Sequence, residues 1–140
     1  MKDCIFCKIV AGEIPSHKIY EDEFILAFLD ISQTTKGHTL VIPKVHRKDI
    51  FEMTPDEMAK LHAKLPNLAS ALVAAFDASG LNVVNNNKES AGQTVFHYHV
   101  HLIPRYDSDA FEVKFKNHMS AYTQEDLANI ATEITRKLEN

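Results

Sequence analysis

The sequence predicts an α+β domain built on an antiparallel sheet of about five strands with two main helices. Three observations carry this. Short apolar runs lie between Gly and Pro turns at residues 17–21, 23–30 and 38–43. A long helical stretch opens on a full N-terminal capping motif at Thr54. In the run FHYHVHLIPRY, residues 96–106, histidine recurs at every second position.

That last run organises the rest of the chain. Successive side chains of a strand point to opposite faces, so His97, His99 and His101 line one face at a spacing of about 6.7 Å. Tyr98, Val100 and Leu102 then bury on the other face, and Pro104 ends the run. A merely solvated face would carry Lys, Glu or Thr more naturally, because histidine has no special strand preference. Two sharper readings remain. Histidines two apart in a strand can share one metal ion. Crowded imidazoles also suppress one another's protonation, which leaves a middle ring neutral and able to attack phosphorus near pH 7. Spacing alone leaves both open.

A chain of 140 residues is long enough for one domain with a real core. Its net charge of −4 disfavours a nucleic-acid polymer as partner, but not a single nucleotide. The opening CIFCKIV is interrupted by Lys8 and does not read as a signal peptide. The longest apolar helical run, residues 68–76, falls well short of the roughly 18 residues that a membrane span needs. A cytoplasmic protein without membrane association is expected. Cys4 and Cys7 make no secreted disulfide framework in a chain of this size, and a reducing compartment leaves them available as thiolates.

Taken in order, residues 1–16 read as a short apolar segment and a turn at Gly12 and Pro15. By itself Cys-x-x-Cys is half a zinc site or a redox pair, and the redox reading lacks a βαβ context. Asp30 ends the second strand, where an acidic residue caps a turn or accepts hydrogen bonds from ribose hydroxyls. His38 and His46 flank the third strand. Thr54, Pro55 and Glu57 start a helix whose apolar stripe runs Met58, Leu61, Leu65, Leu68, Leu72 and Phe76, with a kink expected at Pro66. Residues 81–87 read as a strand running into the Asn85-Asn86-Asn87 tract, either turn formers or amides facing the histidines. Thr123 and Asp126 open a last helix with Leu127, Ile130, Ile134 and Leu138 along one side.

The HYHVHLI run resembles the signature of the histidine triad superfamily of nucleotide hydrolases and transferases. KIVAGEIPS, AFLDISQTTKGHTLVIPKVH and GQTVFHYHVHLIPR follow the same family in the same order, over about residues 4–106. The resemblance implies a triad domain at 1–106 and a C-terminal extension at 107–140, with a helix packed on the same domain. It also implies a homodimer in which two sheets join into one. His99 becomes the nucleophile that forms a nucleotidyl-histidine intermediate, His101 contacts phosphoryl oxygens, and His97 and His38 support the cluster. Gln93 and Thr94 match a polar pair near the bridging atom and leaving group, with Thr94 where many members have Ser. Asn86 matches an active-site asparagine, Asp30 the ribose-binding acid, and Phe6, Ile9, Phe28 and Ile31 the apolar walls around a purine. Some relatives hold a structural zinc, and here the matching ligands are Cys4, Cys7, His46 and His97. The activity implied is cleavage of nucleoside, adenosine above all, 5'-phosphoramidates with release of the nucleoside monophosphate. Dinucleoside polyphosphate hydrolysis and a nucleotide-binding regulator are the alternatives. The chemistry itself needs no divalent ion.

Overall fold

The structure is a computed structural model that describes residues 3–138. The elements run α1 (Ile5–Val10), β1 (Lys18–Glu21), β2 (Ile25–Leu29), β3 (Thr39–Pro43), α2 (Pro55–His62), α3 (Leu65–Phe76), β4 (Gly80–Val84), β5 (Val100–Arg105) and α4 (Gln124–Leu138). All strand pairs are antiparallel, and the five strands lie in the order β1-β2-β3-β5-β4.

The alternation of side chains divides the interior between the two faces of this sheet. Ile25, Ala27, Val41, Tyr98, Val100 and Leu102 pack with the helical residues Leu61, Leu65, Leu68 and Leu72 on one face. Their neighbours Leu26, Phe28, Leu40 and Ile42 turn the other way and pack with Phe6 and Ile9 of α1. Helix α1 therefore covers the face that carries the histidines. It went unread in the sequence because six residues are too few to show a helical period. Cys4 caps it, its sulfur accepting a hydrogen bond from the Cys7 amide at 3.3 Å.

The capping box at Thr54 forms in both directions, and Glu57 additionally clamps the Arg47 guanidinium at 2.6 and 3.0 Å. The long helix expected to kink at Pro66 is instead two helices. Pro66 lacks the N–H that would bond back to the His62 carbonyl, so α2 ends at His62 and Pro66 lies in the first turn of α3, where no such bond is required. Pro104 does not end its strand either. β3 pairs with β5 only as far as Thr39 opposite Leu102, so the missing N–H of Pro104 lies beyond the ladder on that side, and its carbonyl accepts the Thr35 hydroxyl.

Arg105 ties down the start of the C-terminal segment through both carboxylate oxygens of Asp109 at 3.0 Å. Helix α4 is closed by the reciprocal Thr123–Asp126 cap at 2.8 and 3.0 Å. The extension was expected to pack on the same domain. Within the protomer every described residue of α4 is exposed, and its stripe of Leu127, Ile130, Ile134 and Leu138 is uncovered. Among the described residues no helix is long and apolar enough to cross a membrane.

Candidate active site and metal centre

The first ladder residue of β5 is Val100, so His97 and His99 precede the paired part of the strand that was expected to hold all three histidines. The alternation nevertheless continues through them. Tyr98 is in the helix-side core, while the Phe6 ring stands edge-on to His97 and His99 with centroids 5.9 and 5.2 Å away. The Tyr98 amide donates to the Arg47 carbonyl at 2.6 Å, and the His99 carbonyl accepts from Asn85 Nδ2 at 2.8 Å. Bonds from outside the ladder thus extend the strand geometry two residues upstream.

Backbone partners fix the tautomer of each imidazole. His99 Nδ1 lies 2.7 Å from the His97 carbonyl oxygen and so carries the proton, leaving a lone pair on Nε2. That Nε2 has no hydrogen-bond partner among the described residues, and no buried side-chain nitrogen or oxygen is left unpaired, so the atom reaches solvent although the residue is only 6% exposed. His38 accepts the Thr34 amide on Nδ1 at 3.2 Å, and therefore donates from Nε2 to His101 Nδ1 at 2.9 Å. His101 is left with its proton on Nε2. Two adjacent rings, 5.0 Å apart, thus present opposite faces of the same chemistry: a lone pair on His99 and an N–H on His101.

The rings stay neutral because they are crowded and buried. Burial, then the His99 and His38 rings, hold His101 down at about 4 against the pull of Asp30. Burial also lowers His99 and His38, opposed in both by Asp30 and in His99 by the bond to the His97 carbonyl as well. Burial pushes the Asp30 carboxyl up, but hydrogen bonds from the Ser32 hydroxyl and amide, together with His38 and His101, outweigh it and keep the group below its ordinary range. Asp30 Oδ1 accepts both Ser32 donors at 2.5 and 2.8 Å, while Oδ2 faces His38 Nε2 at 3.7 Å. One oxygen of Asp30 thus serves the turn and the other stands toward the histidines.

A cleft of about 360 Å³ opens beside this cluster. Phe6, Ile9, Phe28, Asp30 and Ile31 line it, the five side chains that the family resemblance assigns to a nucleoside. Ile31 is 92% exposed at its mouth. Ile14, His17, Leu40 and Val95 also line the cleft and carry no pattern that marks them in the sequence.

The polar loop residues are placed differently from the expectation. Gln93 is buried and its amide is consumed by backbone, with Nε2 donating to the Lys48 and Val95 carbonyls at 2.6 and 3.1 Å and Oε1 accepting the Lys88 amide at 2.7 Å. These bonds brace the loop. Thr94 is exposed and lines a second cleft of about 430 Å³ together with Cys4, His46 and Lys48. Asn86 makes no side-chain hydrogen bond to any described residue, and its amide lies beside Gly92. Its neighbour Asn85 is the one that touches the triad strand.

Cys4, Cys7, His46 and His97 converge, their ligand atoms all within 4.8 Å of one another. With Zn–S near 2.3 Å and Zn–N near 2.05 Å, tetrahedral geometry sets S···N edges at about 3.5 Å. The pairs Cys4–His97, Cys7–His46 and Cys7–His97 stand at 3.3, 3.3 and 3.6 Å. His97 Nε2 donates to the Pro43 carbonyl at 2.8 Å, which turns the Nδ1 lone pair toward the sulfurs, as outer partners of metal-binding histidines do. Burial and the neighbouring Cys4 push the Cys7 thiol up to about 11, so a cation is what would hold two thiolates here. The donor set fits a closed structural zinc site. Asp30, His38 and His101 also converge within 4.8 Å, but one proton already occupies the His38–His101 contact, and Asp30 Oδ2 stands 3.7 Å from His38 Nε2, beyond hydrogen-bond distance.

Sheet, cleft and imidazole cluster together define an α+β protein in which Asp30 joins an apolar cleft to a group of buried imidazoles. The chain belongs to the HIT family: the family model described as HIT domain matches residues 11–108. It is 56% identical over 140 residues to "Protein hit" of Bacillus subtilis, across 98% of this chain and 95% of that one. It is 42% identical over 107 residues to an adenylylsulfatase of Arabidopsis thaliana, across 76% of this chain and 54% of that protein. A HIT family protein from Bacillus anthracis superposes with a TM-score of 0.93 at 55% identity, covering 96% of both chains. A zinc-bound histidine triad family protein from Mycobacterium smegmatis gives 0.75 at 36% identity, over 94% of this chain and 98% of the other.

Proposed function

We infer that this protein is a nucleotidyl hydrolase or transferase that cleaves adenosine 5'-phosphoramidates and related adenylyl donors through a covalent His99 intermediate. The observation that carries the reading is the pairing of tautomers: His99 offers an unpartnered lone pair on Nε2 beside an N–H on His101. In the first step the Nε2 lone pair forms a bond to the α-phosphorus and the bond from phosphorus to the leaving amine breaks. The electron pair goes to the amine nitrogen, which takes a proton from solvent; the water of the second step returns one. His101 Nε2–H donates to a phosphoryl oxygen as negative charge develops there. Water then attacks phosphorus, the N–P bond breaks, and the nucleoside monophosphate leaves with His99 restored. The purine lies among Phe6, Ile9, Phe28 and Ile31, and Asp30 Oδ2 accepts ribose hydroxyls.

Cys4, Cys7, His46 and His97 would hold a zinc ion, which anchors the chain entry beside the triad strand and takes no part in bond making. The likeness to a zinc-bound relative supports this, as does the fit of the donor set. The uncovered α4 stripe supports a homodimer, a second copy of the chain being the partner that covers it.

The stereochemical course tests the two-step route. Two in-line displacements retain configuration at a chiral α-phosphorothioate, whereas direct attack by water inverts it. Retention is the expected result, and inversion would remove His99 from the role of nucleophile.

A further inference from the structure

The sheet stops pairing at the point where the site begins. β4 pairs with β5 as far as Val84 opposite His101, and the same register carried two residues further would set Asn86 opposite His99. The chain instead turns away through Asn85, Asn86 and Asn87, which leaves the His99 carbonyl without a cross-strand amide. Asn85 fills that place with its side chain, Nδ2 donating to the His99 carbonyl at 2.8 Å. The amide is itself held: Asn87 Nδ2 donates to Asn85 Oδ1 at 2.6 Å, and Asn87 Oδ1 accepts the Ile50 amide at 2.7 Å. Both outer hydrogen bonds orient Asn85 so that its N–H, and not its oxygen, faces the strand.

We propose that Asn85 is a positioning residue for His99, substituting a side-chain amide for the ladder bond that must be given up to open the cleft, with Asn87 and the Ile50 amide fixing its orientation. An extra ladder residue would hold the strand equally well but would run β4 alongside the nucleophile. The relay also joins His99 to the loop that follows His46. That loop is fastened a second time by the Lys48 carbonyl on Gln93 and a third time by the ion pair of buried Asp49 with Lys88 at 2.9 Å. The peptide after His99 is thereby held to the same rigid segment that carries the His46 ligand. A ring whose Nδ1 is tied to one carbonyl, on a peptide whose own carbonyl is tied to Asn85, has its Nε2 direction determined from both ends.

The inference rests on His99 being the nucleophile, and its test separates the two claims. Asn85→Asp keeps the shape of the side chain but faces the His99 carbonyl with a second acceptor. Asn87→Asp keeps the acceptor for Ile50 and removes the donor that orients Asn85. On the full chain, ¹⁵N resonances of the His99 ring report its tautomer and hydrogen bonding whether or not any substrate turns over. Steady-state kinetics with adenosine phosphoramidate report the consequence. Expected are shifted His99 ring resonances in both variants and a fall of about 10- to 100-fold in kcat, with KM changed less than about threefold. The fall should be larger for Asn85→Asp. Unchanged His99 ring resonances, or a loss that follows the fraction unfolded and falls on kcat and KM alike, overturn the proposal. Should Asn85→Asp fail to fold, Asn87→Asp provides the same two readouts. Altered ring resonances in a protein that adenylylates nothing would retain the positioning claim and remove the catalytic one.

Discussion

His99 Nδ1 and the carbonyl oxygen of His97 stand 2.7 Å apart, two residues along the same strand. This contact decides which nitrogen of the middle histidine is free. A backbone carbonyl can only accept, so the ring proton is held on the strand side and the lone pair is turned outward. The same logic operates at His97, where the Pro43 carbonyl directs the opposite nitrogen to the cysteines.

On the proposed roles, removal of the His99 ring and removal of the Cys4 thiol therefore have separable effects. His99→Ala should lower kcat by at least about 10³-fold while zinc stays near one per chain and AMP still binds by calorimetry. Cys4→Ala should lose the metal and lower the thermal midpoint. Metal lost with His99 and kept without Cys4 would reverse the two assignments.

On the proposed mechanism the depressed imidazoles set the acid limb of activity. An unperturbed histidine titrates near 6.5, whereas burial and neighbouring rings hold His101 at about 4 and burial lowers His99 as well. Both rings titrate below the ordinary histidine value, so the acid limb of kcat/KM should be centred below 6.5. A limb centred at or above 6.5 would contradict this.

Stability follows from the same shifts with a definite sign. Between about 4 and 6.5 the unfolded chain binds a proton at position 101 that the folded chain refuses, so stability is full above 6.5 and is lost as pH falls through that window. Urea unfolding at pH 7.5, 6 and 5 should show the decline, and His101→Gln should make it shallower, the remaining slope coming from His38, His97 and His99.

Asp30 lines the cleft with Oδ1 taken by Ser32 and Oδ2 without a hydrogen bond among the described residues. Hydrogen bonds to a carboxylate contribute about 1.5–3 kcal/mol, so Asp30→Asn should raise the AMP dissociation constant by roughly 10- to 100-fold. Binding of inorganic phosphate should be unaffected. Equal weakening of both would show that the residue acts on the histidines and not on ribose.

The C-terminal stripe gives a further test. On the proposed homodimer, in which a second copy covers α4, Ile130→Asp with Ile134→Asp should halve the mass measured by light scattering. A wild-type monomer, or a dimer indifferent to these changes, would leave the stripe unexplained by self-association.

What could be read from the sequence was whatever local chemistry decides. The capping boxes at Thr54 and Thr123 close as their spacing requires, and Tyr98, Val100 and Leu102 bury opposite the histidines because alternation persists even where the ladder has not begun. The break before Pro66 and the continuation through Pro104 depended on which backbone groups already lacked partners, information held in the neighbouring turn and strand. The ring tautomers were hidden for the same reason, since Pro43 and Thr34 supply them from other segments. Gln93 looked like a ligand contact because an amide carries no sign of whether substrate or backbone will use it. Asn85, one residue from the asparagine assigned to the pocket, was indistinguishable within its tract until the register of β4 was fixed.

The central claim is that His99 bonds to phosphorus. Mixing the protein with an adenylyl donor, quenching within the first turnover and sequencing the peptides by mass spectrometry tests it directly. An added AMP group on His99, absent from His99→Ala and decaying as AMP appears, is the predicted result. Turnover without any adduct, or an adduct on His97 or His101, would contradict it.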